Sequence, residues 1–161
     1  MMERRDPRQG RKRTQARCEK QATTVKEIVT QRFGESAGQH PFIVLAHLND
    51  YLETDAHGNT GIAQLVQWDQ VVNIVDRLPE EERWTQFFKG NRQCDLPFAY
   101  RQLDYLLLSK SLADANGNAP SIERRGMPKR ADRYSGPRFP GVGLNEPKAS
   151  DHCPVVVELT V

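Results

Sequence analysis

The apolar positions of the chain follow two rhythms. Between residues 11 and 33, Cys18, Ala22, Val25, Ile28 and Val29 recur at spacings of three and four, the period of one helical face. This predicts an amphipathic helix reaching about Phe33, with Gly34 as its C-terminal stop. Beyond it the apolar residues come in short runs. Residues 42–45, F-I-V-L, have the length and β-branched content of a buried strand. A loop over 54–61 with the turn signal H-G-N-T follows, and Thr60 is placed to cap a helix over Ile62, Ala63, Leu65 and Val66. A second apolar run, 71–78, stops at Pro79. R-W-T-Q-F-F-K at 83–89 has aromatic strand character, with Gly90-Asn91 behind it as a turn. Q-L-D-Y-L-L-L at 102–108 predicts another buried strand, and 155–159 a closing one. Strands interleaved with helices and irregular segments predict an α/β domain, on the border of α+β, built on one mixed sheet.

Two stretches stand outside this rhythm. Residues 1–10 are charged and carry Pro7 and Gly10, which predicts a flexible basic arm ahead of a domain spanning 11–161. Residues 113–149 are rich in Gly and Pro with mixed charges, which predicts a long irregular insertion with a mobile middle.

Composition changes the picture in three ways. The 161 residues are enough for one domain or part of one, yet 37% hydrophobic content and a mean hydropathy of −0.70 are low for a compact fold, so some of the chain is expected to be poorly ordered. The net charge of +2 conceals an asymmetry, because eight Arg or Lys and only three acids fall in residues 1–20. Arg11, Lys12 and Arg13 are therefore candidates for contacts to a nucleic-acid backbone, against the competing reading of a solvated helix face. Cys18, Cys94 and Cys153 have neither the number nor the spacing of a disulfide framework or a zinc site. A zinc grouping of His47, His57, His152 and Cys153 lacks supporting spacing as well. No apolar run is long enough to cross a bilayer and no signal peptide is visible, so no membrane partner is expected and a cytoplasmic location is only the default, with the compartment left open.

The candidate chemistry lies where polar residues meet the strands. His47 and Asn49 follow the 42–45 run, Asp104 sits inside the 102–108 run, and Asp151 and His152 precede the closing strand. If the first strand continues, its period of two places His47 and Asn49 on one face and Asp50 on the other. In order, an N-D after an apolar strand, an L-D-Y-L-L strand and a terminal S-D-H-x-P-V resemble the C-terminal half of the endonuclease/exonuclease/phosphatase superfamily, the deoxyribonuclease-like fold. The resemblance runs over residues 11–161 and is nearest in pattern to uncharacterised bacterial members.

That resemblance implies half of a four-layer β-sandwich with helices on the outer face of its sheet. It implies hydrolysis of phosphodiesters or phosphomonoesters, nuclease action foremost, with Mg²⁺ or Mn²⁺ as the cofactor. Asp151 would lie at the metal and His152 would contact a phosphate oxygen. Asp104 would orient that imidazole, and Asn49 would donate its amide to the phosphoryl group.

Two departures qualify it. The family's G-D-x-N reads Ala46-His47-Leu48-Asn49 here, so a neutral imidazole replaces the carboxylate that serves the attacking water, which implies impaired catalysis. The first half of the sandwich, with its metal-binding Glu, has no counterpart, so an apolar sheet face is expected to be exposed. A truncated product, an internal start, or a half that needs a complementing N-terminal half or self-association would each account for this. The alternative is a non-catalytic remnant that binds nucleic acid or a protein partner through the basic helix. In the insertion, Arg124, Arg125, Lys129, Arg130 and Arg133 are either phosphate contacts or solvated loop charges.

Overall fold

The computed structural model describes residues 10–50, 52, 60–90 and 97–160, with side chains from Thr14 onward. Most of the predicted arm, residues 57–59 of the H-G-N-T turn (His57 among them), Asn91 and Cys94 lie outside the described residues. The first element is a helix, α1 (Gly10–Phe33), which ends where Gly34 takes the left-handed backbone at φ 77°. Its inward stripe is Gln15, Cys18, Ala22, Val25 and Val29, alternating steps of three and four. Ile28, predicted on that stripe, is 59% exposed, because it sits one residue and about 100° away from Val29 around the helix.

Strand β1 (Ile43–His47) is followed by a short helix, α2 (Ala63–Val66), and by β2 (Val71–Asn73). The N-cap of α2 is Ile62 with no side-chain cap bond, rather than the expected Thr60, whose backbone carbonyl accepts from Ala63 N at 3.0 Å. The 71–78 run breaks after Asn73 into a 3₁₀ turn, Ile74–Arg77. Strands β3 (Gln86–Phe88), β4 (Ala99–Arg101) and β5 (Asp104–Ser109) come next, then α3 (Lys110–Ala115), β6 (Ser121–Ile122) and β7 (Val155–Val156).

Among the described residues, three small antiparallel sheets stand in place of the expected single mixed sheet: β1-β5-β2, β3-β4 and β6-β7. β1 and β2 run in the same direction, but β5 enters between them antiparallel to both. Every hydrogen-bonded pair is therefore antiparallel, and the architecture is α+β. β5 is paired on both edges and covered on both faces, so its middle reads as the apolar run Y-L-L-L.

One face of this sheet carries α1 and α2. Ala22, Leu65, Val66, Tyr105 and Leu107 form the core there, with the edge of Phe42 and Val44 against it. The other face buries Leu106 and Leu108 against Ile74, Val75, Leu112 and Ala113, with Val155, Val157 and Leu159 closing over them. Each such side chain contributes on the order of 1.5–3 kcal/mol on burial. β1 is an edge strand, and cover does not extend across it: Ile43 is 44% and Leu45 67% exposed. The run predicted as a buried strand is thus buried on only one side.

Residues 123–150 contain no helix or strand but pack around a third core of Trp84, Phe87, Met127, Ala131 and Cys153. Arg138 holds them together by donating to four carbonyls: Met127 O at 3.0 Å, Gly136 O at 3.1 Å, Ala131 O at 3.0 Å and Tyr134 O at 2.8 Å. No helix among the described residues is long and apolar enough to cross a membrane.

Candidate active site at Asp104

The site grows out of strand register. β1 and β5 pair so that His47 lies directly opposite Asp104, and cross-strand partners point to the same face. His47 Nδ1 is 3.0 Å from Asp104 Oδ1. The other carboxylate oxygen, Oδ2, is 2.7 Å from Nδ1 of His152. An ionised carboxylate only accepts hydrogen bonds, so both rings carry their proton on Nδ1 in this arrangement and their second nitrogens lie on the far side of each ring. The rings meet edge to face, with centroids 4.5 Å apart.

His152 arrives from the end of the chain along a backbone ladder. Cys153 N donates to Thr85 O at 2.7 Å and Phe87 N donates to Asp151 O at 3.0 Å, which sets His152 opposite Gln86. Thr85, fully buried, ties this ladder to β5. Its hydroxyl donates to Asp104 Oδ2 at 2.7 Å and accepts from the amides of Leu103 and Asp104, each at 3.1 Å. Sequence reading missed Thr85; the only hint was a lone hydroxyl inside the aromatic run R-W-T-Q-F-F-K.

The structure therefore brings together three of the residues singled out from the sequence. His47, Asp104 and His152 offer ligand atoms within 4.8 Å of one another and can hold a metal ion. Their side chains are 46%, 22% and 28% exposed, so the group is reachable from solvent. A cavity of about 370 Å³ opens beside Asp104 and His152 and is walled by Glu123, Met127 and Phe139 of the insertion.

The other sequence-derived residues lie apart from this group. β1 stops at His47, so the strand does not continue to Asn49, which adopts a left-handed backbone at φ 53° and is exposed, while Asp50 is buried. Asp151 is not one of the three grouped ligands; its Oδ2 accepts from Gln86 Nε2 at 3.5 Å. Arg11, Lys12 and Arg13 lie within α1, where their side chains fall outside the described residues.

Several insertion cations are committed elsewhere. Arg124 lies over the Trp84 ring, 4.4 Å from its centroid, and donates to the carbonyls of Glu82 and Trp84. Burial lowers its pKa below the usual guanidinium value. Arg125 pairs with Glu123, whose carboxyl that guanidinium holds down to about 2. Arg133 lies over Tyr100, 4.6 Å from its centroid. Burial pushes the Cys153 thiol up to about 12, so it stays protonated beside the site.

Comparison with known proteins gives no match: no family model, no curated protein and no solved structure matches the chain.

Proposed function

We propose that this domain is a phosphoester hydrolase, a nuclease by preference, of the lineage its sequence resembles, working at the Asp104 cluster. The observation that supports this reading most is the 2.7 Å contact between Asp104 and His152, residues 48 positions apart. It is the pairing in which a carboxylate fixes one imidazole nitrogen and leaves the other to meet a phosphate oxygen. His47 adds a second ring on the same carboxylate, and Thr85 keeps the carboxylate from rotating. The adjoining cavity offers room for the ester's substituents.

Magnesium fits this donor set poorly. A hard cation takes oxygen ligands, whereas two of the three grouped donors are imidazoles and Asp151 stands outside the group. The reading therefore assigns binding and orientation to Asp104, His152 and His47, and regards Mg²⁺-supported turnover as impaired. Hydrolysis of bis(p-nitrophenyl) phosphate tests it. The wild-type protein is expected to release nitrophenolate above background, and His152→Ala to lose roughly 100-fold or more of that rate. A His152→Ala rate equal to wild type sinks the assignment.

A second reading, nucleic-acid binding without turnover, draws on Arg17 and Lys20, which are exposed off the inward stripe of α1. Affinity for duplex DNA that stays constant from low to moderate salt overturns it, because phosphate contacts release counterions.

A further inference from the structure

We propose that His47, Asp104 and His152 form a binding site for a borderline divalent cation of the zinc class. The inference deepens the hydrolase reading by naming the ion its site takes. The donor types select the ion. Two imidazole nitrogens and one carboxylate oxygen suit zinc and its late first-row neighbours, while Mg²⁺ and Ca²⁺ want oxygen alone.

The count and the reach fit as well. Three protein ligands leave a fourth tetrahedral position for water or a phosphate oxygen, the pattern of catalytic rather than structural zinc. The two nitrogen-to-oxygen separations, 3.0 and 2.7 Å, correspond to hydrogen bonds. The three ligand atoms lie within 4.8 Å of one another. Tetrahedral bonds of about 2.0–2.1 Å require them about 3.3 Å apart, so binding needs the two hydrogen-bonded contacts to open slightly and the widest pair to close by at most about 1.5 Å. His47 can supply that movement, since its side chain is 46% exposed at the end of an edge strand.

Support behind the ligands is already in place. Thr85 donates to Asp104 Oδ2, and the Asp104 amide donates back to the Thr85 hydroxyl, so the carboxylate is held whether or not an ion is present. Proton balance is simple. On binding, each ring gives its lone pair at Nδ1 to the ion and carries its proton at Nε2 instead, which remains neutral. Each outward nitrogen then becomes a hydrogen-bond donor, suited to a phosphate oxygen.

The test reads occupancy rather than turnover, so its failure is distinguishable from failure of the hydrolase reading. Apo protein is titrated with Zn²⁺ against a chromogenic chelator and, separately, with Co²⁺ while its visible absorption is recorded. The inference expects one Zn²⁺ per chain, a Co²⁺ spectrum of four-coordinate intensity, and no displacement by a roughly thousandfold excess of Mg²⁺. His47→Ala and His152→Ala should each weaken binding by roughly 100-fold or more, with thermal melting confirming that they fold. The conservative pair His47→Asn and His152→Asn provides a second set should either alanine variant fail to fold. Wild-type protein that binds no Zn²⁺, or binds it equally well in folded variants of both histidines, overturns the inference.

Discussion

Asp104 Oδ2 lies 2.7 Å from Nδ1 of His152, and the same oxygen accepts from the hydroxyl of Thr85, which bonds to both segments. The Thr85 hydroxyl accepts from the amides of Leu103 and Asp104 at the start of β5 and donates to that same oxygen, while its carbonyl accepts from Cys153 N. One buried side chain thus connects the central strand to the C-terminal segment that delivers His152. Thr85→Val keeps the shape and removes the hydroxyl, leaving two amides without their acceptor. The expected cost is about 1–3 kcal/mol, read as a lower urea midpoint at unchanged slope. A midpoint equal to wild type contradicts this role.

A second tether acts at the other end of β7. Asn116 Oδ1 accepts from Thr160 N at 2.7 Å, and its Nδ2 donates to Thr160 O and Leu112 O, each at 3.0 Å. Asn116→Ala is expected to release residues 155–160, which close over Leu106 and Leu108. Faster hydrogen exchange confined to that segment, with a loss of about 1–3 kcal/mol, is the expected outcome. Uniform exchange across the sheet contradicts it.

Cys153 offers a pH-dependent check. The thiol is 3% exposed, and burial raises its pKa from about 9 to about 12. A raised pKa means that the folded state prefers the neutral thiol. The stabilisation is complete below pH 9 and is lost as pH climbs through the folded value near 12, because the unfolded chain ionises first. Iodoacetamide at pH 8 is therefore expected to spare Cys153 in native protein and to label it after denaturation. Equal labelling in both states places the thiol at the surface.

His47→Asp replaces the departing imidazole with the carboxylate that the resemblance calls for. It should weaken Zn²⁺ binding and raise Mg²⁺-supported phosphodiester hydrolysis by about tenfold or more. Unchanged metal preference in the variant separates His47 from the metal chemistry.

The chain's own pattern made part of this visible. Asp104 and His152 stand out because each is a charged or polar residue set against an apolar strand, and β1 and β5 are each short runs bounded by polar residues. What joins them was not visible. Register, which sets His47 opposite Asp104, is a long-range pairing that local periodicity does not encode. Thr85 was hidden because a buried threonine looks like any other strand residue until its partners are known. The end of β1 at His47 was not visible either, because the alternation of a strand says nothing about where the strand ends. The packing of 123–150 was illegible for a similar reason: Arg138 works through four carbonyls, and carbonyls have no sequence signature. The expected open apolar sheet face is not what the structure shows around β5, where both faces are covered; Ile43 and Leu45 are exposed along the edge strand alone.

The most direct test of the central claim is nicking of supercoiled plasmid by the wild-type chain, His152→Ala and Asp151→Ala, each with Mg²⁺, Mn²⁺ or Zn²⁺. The account predicts nicking by wild type that requires a divalent cation and disappears in His152→Ala. Nicking of equal rate in wild type and His152→Ala, or no nicking by wild type with any of the three ions, would contradict it.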